Sequence, residues 1–279
     1  PSSITLLKDN LIQDSGQEYV KDAYCITDKA DGDRKLLYIE NGKLYFIDSR
    51  LNIQFTGVTT SLKIKPTLID GEHITIDKRG NPINKYAAFD IYCYNGRDYR
   101  DKPFVEDRPN KATNDSRYIQ LNLFMNELNT SLSLKVLTMV TKTFFVVGST
   151  PETSMEYNCG LLLDFINSER YDYNTDGIIF TSKYEGVPKS PKKVTWKKSF
   201  KWKPPKYNTI DFLMRIKKNT KGEKIIKTKQ YKGQIIKYYE GELHVGFNEK
   251  IHGHPSAQQD ILNLEYGQNK KRVGQVSYK

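Results

Sequence analysis

The sequence predicts an α+β protein, a larger mixed domain followed by a small all-β module. Short β-type runs dominate, two segments carry helical periodicity, and Pro204-Pro205 marks a break beyond which only strand-like runs follow. Lys35 to Ile39 and Lys43 to Ile47 flank Glu40-Asn41-Gly42, a hairpin signal. Further strands are expected at Ile53 to Val58, Thr67 to Asp70, Glu72 to Ile76 and Tyr86 to Tyr94. Ser116 to Leu132 reads as a helix, with Ile119, Leu123, Met125 and Leu128 near helical spacing and Ser116 as its cap. Pro151 to Arg170 reads as a second helix, with Leu161, Leu162, Phe165 and Ile166 on one side and Pro151 suited to its first turn. Gly177 to Thr181 has the look of a buried strand. Beyond the break, strands are expected at Thr209 to Ile216, Lys224 to Thr228, Gln234 to Tyr239 and Glu242 to Phe247.

Composition narrows the function classes. The chain has 279 residues, of which 37% are hydrophobic and 12% aromatic, enough apolar mass for a core and too much for a disordered tail. Its longest apolar stretch, Val136 to Gly148, is broken by Lys142 and is too short to cross a bilayer, so no membrane partner is expected. The N-terminus has no basic region followed by an apolar one, so no signal peptide is visible. Cys25, Cys93 and Cys159 stand far apart, which argues for a reducing compartment and against a disulfide scaffold or zinc ribbon. The expected location is therefore cytoplasmic, not secreted. His252 and His254 have no cysteine nearby and read as a solvated loop, because zinc needs three or four converging ligands. The chain starts at Pro1 and reads as a fragment of a longer polypeptide.

The net charge of +11 is concentrated. Lys189 to Lys232 holds sixteen Lys and Arg against two acidic residues, Asp211 and Glu223, so this one segment exceeds the whole excess. The bland reading is a solvated basic surface. The sharper one is a polyphosphate or nucleic-acid channel, with Trp196, Phe200, Trp202 and Tyr207 interleaved as such surfaces often show. The dinucleotide G-x-G pattern, the P-loop and H-E-x-x-H are all absent.

Five short strings occur in order: KADGDR (Lys29 to Arg34), IDGE (Ile69 to Glu72), FDIYCYNG (Phe89 to Gly96), DGIIF (Asp176 to Phe180) and KWKPP (Lys201 to Pro205), the last followed by NTIDF (Asn208 to Phe212). Singly, each has a plain structural explanation: an exposed turn lysine, turns at Asp70-Gly71 and Asp176-Gly177, core packing for Phe89. As an ordered set they resemble the covalent nucleotidyltransferase superfamily, which comprises mRNA capping guanylyltransferases and ATP- or NAD-dependent polynucleotide ligases. Asp176 where ligases usually place Glu, the KWKPP and NTIDF strings, and K-A-D-G-D-R beside the typical K-T-D-G-x-R favour the capping branch. The Lys-, Asn-, Ile- and Tyr-heavy composition suggests an AT-rich genome, and, taken with the fragment ends, the resemblance is to the guanylyltransferase part of a large DNA virus capping enzyme. An ATP-dependent RNA or DNA ligase, or an inactive RNA-binding scaffold of the same fold, are the competing readings. One family string, R-x-R-x-D-K late in the second module, is not matched by the basic tail NKKRVGQVSYK.

The resemblance implies a nucleotidyltransferase domain over 1–203, made of antiparallel sheets and helices of the DNA-ligase or ATP-grasp kind, and a partial OB-fold barrel over 204–279 that closes over a GTP cleft. It implies that Lys29 attacks the α-phosphorus of GTP, forms a lysyl-GMP, and passes GMP to the 5′-diphosphate end of RNA. A free lysine amine titrates at about 10.4, so attack near neutral pH calls for neighbouring cations, for which Arg34, Lys201 and Lys203 are the candidates. Glu72 and Arg50 would hold the ribose hydroxyls, Phe89 would stack on guanine, and Asp176 would touch Mg²⁺ or Mn²⁺ directly or through water. Lys201 and Lys203 alternate along a strand and so reach one phosphate, with Trp202 on the other face. Asp211 matches a position that acts near the phosphates or metal. The residue that reads guanine is left unassigned, Lys142 being the one suggestion. Triphosphatase and methyltransferase domains, in the same polypeptide or on a partner, are further implications.

Overall fold

Two sheets carry most of the chain up to residue 204 in the computed structural model, which describes residues 1–108, 115–134, 136–168, 170–190, 194–204 and 212–245. The first sheet is built from β1 (Ser2–Thr5), β2 (Tyr24–Ala30), β10 (Phe145–Val146), β11 (Thr175–Ser182) and β12 (Thr195–Trp202), in the spatial order β1-β12-β11-β2-β10. The second contains β3 (Asp33–Glu40), β4 (Lys43–Ile47), β5 (Ile53–Thr59), β6 (Thr67–Ile76), β7 (Pro82–Tyr94), β8 (Arg97–Asp98) and β9 (Thr138–Thr141), in the order β5-β4-β3-β6-β7-β8 with β9 beside β7. Each sheet buries one face under a helix. Helix α1 (Arg117–Ser131) sets Leu121, Phe124, Met125 and Leu128 against Leu37, Ile69 and Ile91 of the second sheet. Helix α2 (Met155–Asn167) packs Leu162 against Ile26, Ile178 and Phe200 of the first.

Both helices form where periodicity expects them, with local differences. On α1 the buried stripe is 121, 124, 125 and 128, the i, i+3, i+4, i+7 pattern, whereas Leu123 faces solvent. Pro151 opens a short 3₁₀ turn, and α2 starts later, where the Ser154 side chain accepts the Tyr157 N–H at 3.3 Å. Asp70-Gly71 is no turn: the two predicted strands are one, β6, running through it. The expectation of antiparallel sheets holds for most pairs, but β1–β12 and β7–β9 are parallel, so both sheets are mixed. Trp196 and Phe200 are core residues and Trp202 packs on the first sheet's core, so these aromatics of the basic run are packing groups and not a stacking platform; Tyr207 lies outside the described residues.

The chain divides into two units, Pro1–Tyr207 and Asn208–Lys279. In the second, β13 (Phe212–Ile216) pairs antiparallel with β16 (Gly241–Val245). There β14 (Ile226–Tyr231) and β15 (Gln234–Tyr239) form a hairpin, whose turn residues Lys232 and Gly233 have φ of 48° and 80°, the left-handed pair of a tight hairpin turn. His252 and His254 lie outside the described residues.

Candidate active site

Lys29 lies near the end of β2, a strand flanked on both sides within the first sheet, and its side chain is only 25% exposed. The chain then turns through Asp31 and Gly32 into β3 of the second sheet. Gly32 fits because β6 passes close behind it: an added Cβ would stand 2.7 Å from the His73 carbonyl oxygen and 2.9 Å from Cγ of Glu72. This connection makes Lys29 and Arg34 neighbours across a gap between sheets, and it sets Arg34 opposite Glu72 in the β3–β6 register.

Asp70 and Glu72 are two apart on β6 and face the same side. Asp70 is fully buried and grips the Arg34 fork through Nε at 2.9 Å and through a second bond from the terminal nitrogen, while the Tyr92 hydroxyl donates to the same carboxylate. Among the described residues Glu72 has no such clamp. Burial pushes its carboxyl up to about 7, against the opposing pull of Lys142 and Lys29.

Phe89 owes its direction to a bulge. Across β6–β7, Asp70 pairs with Asp90 and Gly71 with Ala88, so Phe89 is the extra residue. A second shift nearby, where Ile69 pairs with Ile91 and Leu68 with Cys93, does the same for Tyr92. The first bulge is pinned from behind by Arg117, which is buried and donates to Asp90 at 2.8 Å. The Arg34 guanidinium stands 5.7 Å from the Phe89 ring centre.

Asp176 sits where β11 shifts register against β2, and Gly177 follows at φ 153°, its missing Cβ pointing 1.9 Å from the Trp202 carbonyl oxygen. Only glycine lets β11 press so closely on the end of β12. The consequence is a shared carboxylate: Asp176 Oδ1 accepts from Lys29 Nζ at 2.6 Å, and Oδ2 lies 2.5 Å from Lys203 Nζ. Burial tends to raise this carboxyl, but the hydrogen bonds from Lys203 and Lys29 outweigh it and hold it below its usual range.

A cavity of about 150 Å³ opens between the sheets, with Lys29, Arg34, Glu72, Phe89 and Lys142 among its walls. Asp176 and Lys203 adjoin it through Lys29. Lys201 is half-buried on β12 and has no ion pair among the described residues. Arg50 is exposed in the turn after β4, where its N–H donates to Asp48 at 2.8 Å, and it is not among the cavity walls. Asp211 lies outside the described residues. Among the described residues no three His, Cys, Asp or Glu side chains converge as a metal site. A hard cation that keeps its waters and binds nucleotide phosphates needs only one or two carboxylates, so Asp176 fits that role and no larger one. Asp28, Asp70 and Tyr92 were not singled out by sequence, although Asp70 and Tyr92 sit inside two of the ordered strings.

The arrangement is a cavity between two sheets, lined by two lysines, Lys29 and Lys142, with Arg34, Glu72 and Phe89 beside them. Residues 12–205 match the family described as mRNA capping enzyme, catalytic domain, and the chain belongs to that family. It is 27% identical over 287 residues to the "Probable mRNA-capping enzyme" of Acanthamoeba polyphaga mimivirus, covering 83% of this chain and 23% of that protein. It is 28% identical over 195 residues to the mRNA-capping enzyme of African swine fever virus (Warthog isolate), covering 69% of this chain and 18% of that protein. The match to the mRNA-capping enzyme of Caenorhabditis elegans is 23% over 225 residues, 72% of this chain and 31% of that protein. The chain thus spans less than a third of each of these relatives. Among solved structures, mycobacterial DNA ligase D complexed with ATP and MES superposes with a TM-score of 0.44 at 11% identity, over 99% of this chain and 85% of that one. The ligase domain of M. tuberculosis LigD gives 0.41 at 12%, over 88% and 68%. Both likenesses are too loose to argue from.

Proposed function

We propose that this chain is the guanylyltransferase part of a larger capping enzyme. The observation that carries the reading is Lys29 itself, half-sunk in the wall of a cavity and hydrogen-bonded to Asp176 at 2.6 Å, within a chain of this family. The Lys29 amine, freed of a proton, attacks the α-phosphorus of GTP. An N–P bond forms, the P–O bond to the β-phosphate breaks, and pyrophosphate leaves. A terminal phosphate oxygen of 5′-diphosphate RNA then attacks the lysyl-GMP, displaces the amine, and completes a 5′–5′ triphosphate cap.

The cavity walls suit the nucleoside part. Phe89 offers a ring face to the base, Glu72 offers carboxylate oxygens to the ribose hydroxyls, and Lys142 offers N–H donors to a base carbonyl. The cavity is smaller than the roughly 300 Å³ of a typical ligand pocket, so the phosphates would extend out of it towards Lys201, Lys203 and Asp176. Asp176 would hold Mg²⁺ or Mn²⁺ carried by the nucleotide, and that ion would offset charge on the phosphates. Arg50 and Asp211 keep the parts the family resemblance gives them, ribose and phosphate contact. Residues 204–279 are read as an OB module. Flanking triphosphatase and methyltransferase domains would occupy the remaining length of such an enzyme.

The test is transfer of label from GTP to protein with a divalent metal, read on a denaturing gel. The wild-type chain, extended C-terminally if needed to include the late basic string, is expected to label with GTP and not ATP. Lys29→Ala is expected to abolish the label. Label that survives this substitution, or that appears with ATP alone, overturns the reading.

A further inference from the structure

Lys142 is fixed at both ends, to different sheets. Its main-chain N–H donates to the Ala88 carbonyl at 2.8 Å, one residue before the Phe89 bulge of the second sheet. Its ammonium reaches the first sheet, where it donates to the main-chain carbonyl of Asp28 and lies 3.2 Å from Asp28 Oδ2. Both groups are buried, the side chains being 4% and 0% exposed, and Asp28 is the only ion-pair partner of Lys142 among the described residues. Nothing in the chemistry of Lys29 as set out above uses Asp28.

An ammonium has three N–H donors and no acceptor. The Asp28 carbonyl accepts one of them, and the carboxylate balances the charge from 3.2 Å without a hydrogen bond to Oδ2, so N–H donors remain for the cavity that Lys142 lines. A lone buried ammonium on a flexible four-carbon stem would not hold one direction and would be costly in the wall of a cavity between two sheets. The Asp28 carboxylate supplies both the charge balance and the aim. Thr27 Oγ1 lies 3.3 Å from its Oδ1, while Oδ2, the oxygen that pairs with Lys142, has no hydrogen-bond partner among the described residues. Asp28 also directly precedes Lys29, so the residue that aims Lys142 belongs to the stretch of β2 that presents the nucleophile.

We propose that Asp28 is a positioning residue for base selection: it holds Lys142 as a one-way donor towards the cavity, so that a purine carrying a carbonyl at C6 is accepted and one carrying an amino group there is not. This rests on the GTP reading above and adds to it a residue that never touches the nucleotide.

The experiment measures equilibrium binding of GTP and of ATP to the full chain by calorimetry, with lysyl-GMP formation followed in parallel. Asp28→Asn removes the charge and keeps the shape. The GTP dissociation constant is expected to weaken about tenfold, while the ATP constant stays in place, so the preference collapses. Should Asp28→Asn not fold, the neutral pair Asp28→Asn with Lys142→Met removes both buried charges together and is expected to lose the same preference. If the two act as a unit, the pair is no worse than Lys142→Met alone. A wild-type chain that binds GTP no better than ATP, or variants that keep the wild-type ratio, overturn the proposal. If the preference moves as expected and no lysyl-GMP forms in the wild type, covalent transfer falls and the positioning role stands. If lysyl-GMP forms and the ratio does not move, the positioning role falls and the transfer stands.

Discussion

Glu72 and Asp176 are two acidic side chains at one cavity whose environments pull them in opposite directions. Asp176 is held low by two ammonium partners, whereas Glu72 is pushed up to about 7 by burial, with cations near but none paired with it among the described residues. The sign of the consequence follows from proton counting. Between its ordinary value near 4.5 and about 7, Glu72 binds more proton in the folded chain than in the unfolded one. Its contribution to stability is therefore full below about 4.5 and is lost as pH rises through about 7. Nucleotide binding should run the other way, because ribose hydroxyls donate to a carboxylate more strongly than to a carboxylic acid. The melting temperature of the ligand-free chain is expected to fall over this window while GTP affinity rises, and Glu72→Gln should flatten the Glu72 part of both. Thermal melts and titrations at matched pH values check it, and a variant with unaltered slopes would remove Glu72 from the site.

At the level of elements, the site depends on irregularities. Phe89 and Tyr92 reach the cavity through bulges in β7, and Asp176 meets Lys203 because Gly177 lets β11 crowd the end of β12. Gly177→Ala is expected to cost about 1–3 kcal/mol and to weaken lysyl-GMP formation, since its Cβ would collide with the Trp202 carbonyl oxygen. Gly160→Ala, in α2 with nothing near its added Cβ, is expected to be neutral or stabilising by up to about 1 kcal/mol. Melting temperatures of the two variants check the contrast. These same irregularities mark what sequence reading reaches and what it misses. Alternation and turn residues expose β4 and β15 at their observed bounds, and helical spacing finds α1 to within a residue at each end. The strand β2 is harder to see, because Asp28 and Lys29 interrupt an apolar run although Asp28 is wholly buried. Burial of a charge depends on a distant partner, here Lys142, and no local pattern carries that information. The ordered strings bring Lys29, Arg34, Glu72, Phe89, Asp176 and Lys203 together, but Arg50 falls outside the cavity, since its place rests on a turn whose direction spacing does not set.

The whole molecule distributes its charge unevenly, and the structure sorts which of those charges are already spent. Lys198 pairs with Glu18 at 2.7 Å, Lys189 with Asp98 at 3.2 Å, and Lys217 and Lys227 share Glu240 at 3.3 and 2.6 Å. In the second unit, Lys229 and Lys232 carry no carboxylate partner among the described residues, and both lie near the ring of Tyr231, at 5.8 and 5.5 Å. An RNA 5′ end bound there would displace counterions from these two and would gain less from Lys227, which shares the Glu240 carboxylate with Lys217. Because a single-stranded contact contributes a slope of about −0.7 per phosphate in log affinity against log salt, Lys229→Gln with Lys232→Gln should make that slope shallower by about 1.4. Lys227→Gln, on the same face of the hairpin, should change it by less than half as much, because Glu240 already offsets part of its charge. Titrating a short 5′-diphosphate RNA at several salt concentrations separates the two variants. Equal slopes for both would place the RNA elsewhere and make the basic hairpin a solvated surface.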